Sequence, residues 1–144
     1  MAAAVGGAAV LPLGAAGRAE ATGRLSHRGV VYEVAEGTGW SAARMRADVR
    51  AIAHDLHADS VKVTGAGVGR LTATAAEAAE RGLNVWLEPT LGDVPEREIL
   101  DHLAETGRFA ERLRRQGAGV HLSVGCEFVL YVPGIVPGAN AQER

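Results

Sequence analysis

Apolar and polar positions alternate with period two in four short stretches of this chain and recur with a period near 3.6 in the three longer stretches between them. Gly29 to Val34, GVVYEV, reads as a first strand with Glu33 at its C-terminal end, bounded by the turn-rich Glu36 to Gly39. Ser41 is placed to cap a helix over Ala42 to His57, whose Val49, Ile52, Ala53 and Leu56 recur at i, i+3, i+4 and i+7. Ser60 to Thr64, SVKVT, is a second strand, with Val61 and Val63 on one face and Lys62 and Thr64 on the other. A second helix, from about Gly69 to Arg81, sets Leu71, Ala75, Ala78 and Ala79 on one side and stops at Gly82. Leu83 to Leu87, LNVWL, is a third strand that runs into Glu88 and Pro89, where proline ends pairing. The third helix spans Pro95 to Gln116, with proline at its first position, Glu96 and Glu98 in its first turn, and Arg112, Arg114 and Arg115 in its last.

In the final stretch, Val120 to Pro137, Val120, Leu122, Val124 and Cys126 share one face while His121, Ser123, Gly125 and Glu127 share the other. The spacing predicts a fourth strand that ends at Glu127, with Cys126 turned toward the helices. The order β, α, β, α, β, α, β carries the spacing of right-handed parallel βαβ units, so the fold class is α/β. A parallel strand covered on both faces is apolar at nearly every position. These strands instead keep one polar face, which places helices on one side only, as on the inside of a (β/α)8 barrel.

Composition narrows the picture. The 144 residues are 47% hydrophobic, enough for one globular domain with a core. A net charge of -2 and 4% aromatic residues give neither the positive field nor the stacking surface of a nucleic-acid binder. No stretch approaches the roughly 20 apolar residues of a spanning helix. One cysteine forms no internal disulfide, and the expected location is cytoplasmic. Residues 1–27 read as a disordered Ala/Gly-rich leader with a weak likeness to a secretion signal, 28–138 as the folded domain, and 139–144 as a tail.

Three glutamates, Glu33, Glu88 and Glu127, each close a different strand and by alternation share the polar face with Lys62 and Thr64. Converging carboxyls raise one another's pKa, the usual means of keeping a general acid protonated beside an ionised base. The competing reading is a structural ion network around Lys62. Gly65 to Arg70, GAGVGR, follows a strand, opens a helix and precedes Glu88 by about 20 residues, close to the dinucleotide-binding fingerprint. Arg70 stands where that fingerprint requires its third glycine, so no nicotinamide or flavin cofactor is expected. His54 and His57 lie three apart on a helix without a third ligand, and no metal site is expected.

RGVVYEV, DLHADSVKVTG, RLTATAAEAAERGLNVWLEP and above all HLSVGCEFVLYVPGIVPG resemble a family of bacterial abortive infection proteins, which is in turn similar to the glycoside-hydrolase TIM barrels. The resemblance covers about Arg28 to Gly138. It implies the N-terminal half of a TIM barrel and a role in phage defence. Activity, if present, would be that of a glycoside hydrolase, with Glu127 matching the acid/base glutamate that ends the fourth strand. Cys126 occupies the position where such barrels usually carry Asn before that glutamate. Their nucleophilic glutamate ends a seventh strand, which has no counterpart among four βα units. A whole barrel takes eight units and about 250 residues. The resemblance therefore implies a fragment, or a half-barrel closed by a second copy of the chain across its open edges, inactive on glycosides by itself. A carbohydrate ligand is the expected partner, with neither nucleic acid nor membrane. The alternatives are a non-catalytic binding barrel and a dinucleotide-binding βαβ domain built on Gly65 to Arg70.

Overall fold

The computed structural model describes residues 27–34, 37 and 39–144, so all of the expected leader except His27 lies outside the described residues. The chain alternates β1 (Gly29–Glu33), α1 (Ala42–His54), β2 (Ser60–Gly65), α2 (Val68–Glu80), β3 (Asn84–Pro89), α3 (Glu96–Arg115) and β4 (Val120–Leu122), followed by a single turn of helix, α4 (Phe128–Tyr131). The four strands make one parallel sheet in the order β1-β2-β3-β4. Sequential order with right-handed crossovers sends every connecting helix to the same side.

Strand alternation then decides what each face carries. Val61, Val63, Val85 and Leu87 point to the helices and are buried, with Val30, Tyr32, Val120 and Leu122 packed around them. The helices answer with Met45, Val49 and Ile52 of α1, Leu71, Ala75 and Ala78 of α2, and Ala110 and Leu113 of α3. The other face has no layer over it among the described residues: Val31 is 64% exposed and Trp86 41%. This one-sided burial is the pattern that the alternating strands predict, and the sheet as described is open rather than closed into a ring.

Local chemistry accounts for the element ends. The Ser41 hydroxyl accepts from the Arg44 N–H at 3.2 Å and caps α1. That helix stops at His54, short of the expected His57, because His57 takes a left-handed φ of 50°. Gly82, at φ 77°, closes α2 as expected of a glycine past a helix end. Pro95 caps α3 from outside rather than opening it, its extended ψ of 142° leaving Glu96 as the first helical residue.

The largest departure from the sequence pattern is β4. The alternation through Cys126 predicts a strand reaching Glu127, yet the strand ends at Leu122. The ladder between β3 and β4 runs through Val85 N–H to the Gly119 carbonyl at 2.8 Å and Ser123 N–H to the Leu87 carbonyl at 2.8 Å. The next rung would need an N–H from Pro89, which has none. Past that point β4 has no neighbour on its outer side among the described residues. The chain folds back instead, with Gly125 leaving room for the Phe128 ring, which a Cβ there would strike. No helix among the described residues is long and apolar enough to cross a membrane.

Candidate functional site

Register lines the open face into cross-strand rows. Val31, Lys62, Trp86 and His121 lie side by side in one row, and Glu33, Thr64 and Glu88 in the next toward the strands' C-terminal ends. Glu33 and Glu88 thus share the face and the end that the sequence predicts for them.

Glu88 is the centre of this end. It is 8% exposed, and a buried carboxylate requires partners. Lys62 Nζ lies 2.6 Å from its Oε2, and the Thr64 hydroxyl donates to its Oε1 at 3.3 Å. The Cys126 thiol lies close enough to feel the charge of Glu88. Cys126 was expected among the helices, and its place beside Glu88 follows from the early end of β4: once strand alternation lapses at Leu122, it no longer dictates the side chain's direction. Burial first, then the negative charges of Glu88 and Glu127, push the Cys126 thiol up, with Lys62 opposing them. The shift favours the protonated thiol, which is a poor nucleophile.

Glu127 does not end a strand. It sits at the N-cap of α4 in a left-handed conformation, φ 41° and ψ 54°, and is exposed. Its carbonyl accepts from the N–H groups of Leu130 and Tyr131. Its charge reaches the Glu88 cluster through Cys126, so the three glutamates do not form one row: two are placed by the sheet and the third by a loop.

One row back, the Trp86 indole and the His121 ring stack with centroids 4.4 Å apart and an interplanar angle of 24°. The His27 ring meets both edge-on, at 6.4 and 6.3 Å. The result is an aromatic surface on the open face, beside Lys62.

Beyond the strand ends a cavity of about 430 Å³ opens between the β3–α3 loop, α3 and the segment that carries α4. Glu33, Thr64, Asp93, His102, Cys126 and Tyr131 supply its polar wall. Arg144 holds two of its sides together: the guanidinium pairs with the Asp93 carboxylate and donates to the carbonyls of Leu130, at 2.7 Å, and Gly138, at 3.2 Å. The Asp93 N–H adds a bond to the Tyr131 carbonyl at 2.9 Å.

His102 is a site residue that strand reasoning passes over. Its Nε2 lies 2.7 Å from the Ala66 carbonyl, in the turn after β2. A signal was present in the sequence. Ile99, His102, Leu103, Thr106, Ala110 and Leu113 form one stripe of α3, and a histidine within an apolar stripe marks either a buried hydrogen bond or a site.

The glycine-rich turn Gly65 to Arg70 is occupied by packing. Besides the Ala66 contact, Arg70 reaches back to the Val34 carbonyl at 3.4 Å and lies over the Trp40 ring at 5.8 Å. The strand order never reverses across the sheet, whereas dinucleotide folds bind at the point of reversal. Among the described residues no group of three or more His, Cys, Asp or Glu side chains is arranged to hold a metal ion. Neither the known family models nor the curated proteins include a match to this chain.

Proposed function

We propose that this chain is a glycoside-hydrolase-like TIM-barrel protein, similar to the abortive infection proteins of phage defence, which binds carbohydrate at the C-terminal ends of its strands and does not by itself turn glycosides over. The observation that carries this reading is the row Glu33, Thr64, Glu88 at the C-terminal end of a parallel sheet whose helices all lie on the opposite face. In barrel enzymes the chemistry sits at that end. Sugars are bound by planar arrays of acceptors and donors beside an apolar surface. The stacked Trp86 and His121 provide such a surface one row away.

Absence of turnover follows from the carboxyls. Glycoside hydrolysis needs two, about 5 to 5.5 Å apart for retention or about 6.5 to 9.5 Å for inversion, acting from opposed sides of the scissile bond. Glu88 is engaged by Lys62 and Thr64, and Glu33 stands two strands away on the same wall, with Thr64 between them. In a completed barrel, Glu127 would serve as acid/base and an opposite strand would supply the nucleophile. The outer edges of β1 and β4, unpaired among the described residues, are where strands from this chain or from a second copy would complete the ring.

The test is titration of the isotope-labelled protein with soluble oligosaccharides, followed by amide chemical shifts, beside a screen of aryl-glycosides. Saturable shifts around Thr64, Glu88 and His102, with dissociation constants around the millimolar range, are expected, and no turnover. Absence of any shift sinks the carbohydrate reading. Turnover that Glu127→Gln abolishes would instead establish the chain as an enzyme with Glu127 as its acid/base.

A further inference from the structure

From the charge and hydrogen-bonding capacity of the cavity walls, we infer that the sugar this site prefers is an amino sugar, its ammonium group paired with Glu33; the inference rests on the carbohydrate reading above. The cavity of about 430 Å³ has room for a single sugar ring. Among the described residues no lysine or arginine lines it. Its two wall carboxylates are Glu33 and Asp93, and Asp93 is neutralised by Arg144. The Glu33 side chain has no hydrogen bond or ion pair among the described residues, and it lines the cavity.

Two of the remaining polar groups point the same way. The Ala66 carbonyl can only accept, so the His102 nitrogen 2.7 Å from it, Nε2, carries the proton. The bond fixes the ring's orientation, and in the neutral tautomer Nδ1 is the nitrogen left to accept. The Thr64 hydroxyl spends its hydrogen on Glu88 and presents acceptor character to the cavity. The wall also carries the Thr90 and Tyr131 hydroxyls, which can donate or accept, so what sets its charge preference is the Glu33 carboxylate. A ligand that matches it brings positive charge, and a carboxylated or sulfated sugar is repelled. Apolar Ile99, Leu103 and Phe128 cover the rest of the wall, suited to the C–H face of a pyranose ring.

Four probes separate the possibilities: glucosamine, N-acetylglucosamine, glucose and glucuronate, each titrated into the wild-type chain and into Glu33→Gln. Glu33 is exposed, so the substitution leaves the core intact, and retained amide dispersion verifies this. Glucosamine is expected to bind about two- to fivefold more tightly than glucose and N-acetylglucosamine, the range for a solvent-accessible ion pair. Glucuronate is expected to bind most weakly of the four. In Glu33→Gln the ratio of glucosamine to glucose affinity should fall to about one. Glucuronate binding as tightly as glucosamine, or a preference for glucosamine that survives Glu33→Gln, overturns the inference while leaving carbohydrate binding in place. Failure of all four sugars and of the oligosaccharides overturns both.

Discussion

Removing Lys62 and removing Glu88 should have unequal costs, and the inequality measures how the site is built. The two side chains meet at 2.6 Å, but their surroundings differ: the lysine side chain is 38% exposed and the glutamate 10%. Breaking a fully buried ion pair by deleting one partner costs about 3 to 5 kcal/mol, and an exposed pair contributes about 0.2 to 1. Lys62→Met strands a carboxylate that water barely reaches, with the Thr64 hydroxyl left to satisfy it. With the lysine partly solvated to begin with, the loss falls between those limits, at about 2 kcal/mol. Glu88→Gln keeps an acceptor for Thr64 and frees an ammonium that can turn to solvent, a loss of about 1 kcal/mol. The double variant has no stranded charge, so it should lose about 1.5 kcal/mol rather than the sum, a coupling of about 1.5 kcal/mol. For a domain of this size 1 kcal/mol moves Tm by about 4 °C, which gives drops of about 8, 4 and 6 °C by calorimetry. Additive losses, or a larger loss for Glu88→Gln than for Lys62→Met, would refute the picture of a buried carboxylate held by a half-exposed cation.

Two further outcomes follow from titrating groups. Burial, aided by the hydrogen bond and charge of Asp48, raises Tyr32 to about 12 from an ordinary value near 10, so the unfolded chain releases this proton first and stability declines as pH rises between about 10 and about 12. Denaturant melts of Tyr32→Phe should lack that part of the decline, and an unchanged slope would count against the Tyr32–Asp48 bond of 2.9 Å. Cys126 should be alkylated by iodoacetamide more slowly than free cysteine at about pH 8, and Glu88→Gln should speed the reaction by removing a negative charge and an acceptor that favour the thiol; equal rates would place the sulfur away from Glu88.

What the sequence made legible is the part decided by period. Four strands, three helices, the parallel order and the sidedness of Lys62, Thr64 and Glu88 all follow from alternation and from the spacing of apolar residues, because each strand in question has its pattern fixed by packing against the helices. Period two also continues through Val124 and Cys126, but no packing enforces it there. The ladder had already lost its next donor at Pro89, a residue on a different strand, and that loss appears only when the register of β3 against β4 is known. Cys126 and Glu127 went astray together for that one reason. His102 was missed for another: the turn it bonds is far away in sequence, and a helical stripe records which side faces inward without recording what waits there.

The placement of Glu127 bears directly on whether the site is finished. Three of the contacts that hold the segment after β4 are the Asp93 N–H on the Tyr131 carbonyl, the Arg144 guanidinium on Asp93, and the same guanidinium on the Leu130 carbonyl. All three lie after Glu127, and none engages its side chain. The residue itself carries a left-handed φ of 41°, a conformation that costs a non-glycine residue on the order of 1 kcal/mol and persists only where neighbours over-determine it. A strand pairing along the free edge of β4 would give partners to the outward backbone groups of Leu122, Val124 and Cys126, and would draw Glu127 back to the extended backbone that its alternation predicts. The register of β4 against β3 would then set Ser123 opposite Glu88 and carry Glu127 four residues, about 13 Å, beyond the row that holds Glu33. On this reasoning, pairing of that edge would return Glu127 to the open face without bringing it into the row of Glu33 and Glu88, so an extended β4 does not by itself assemble the three carboxylates.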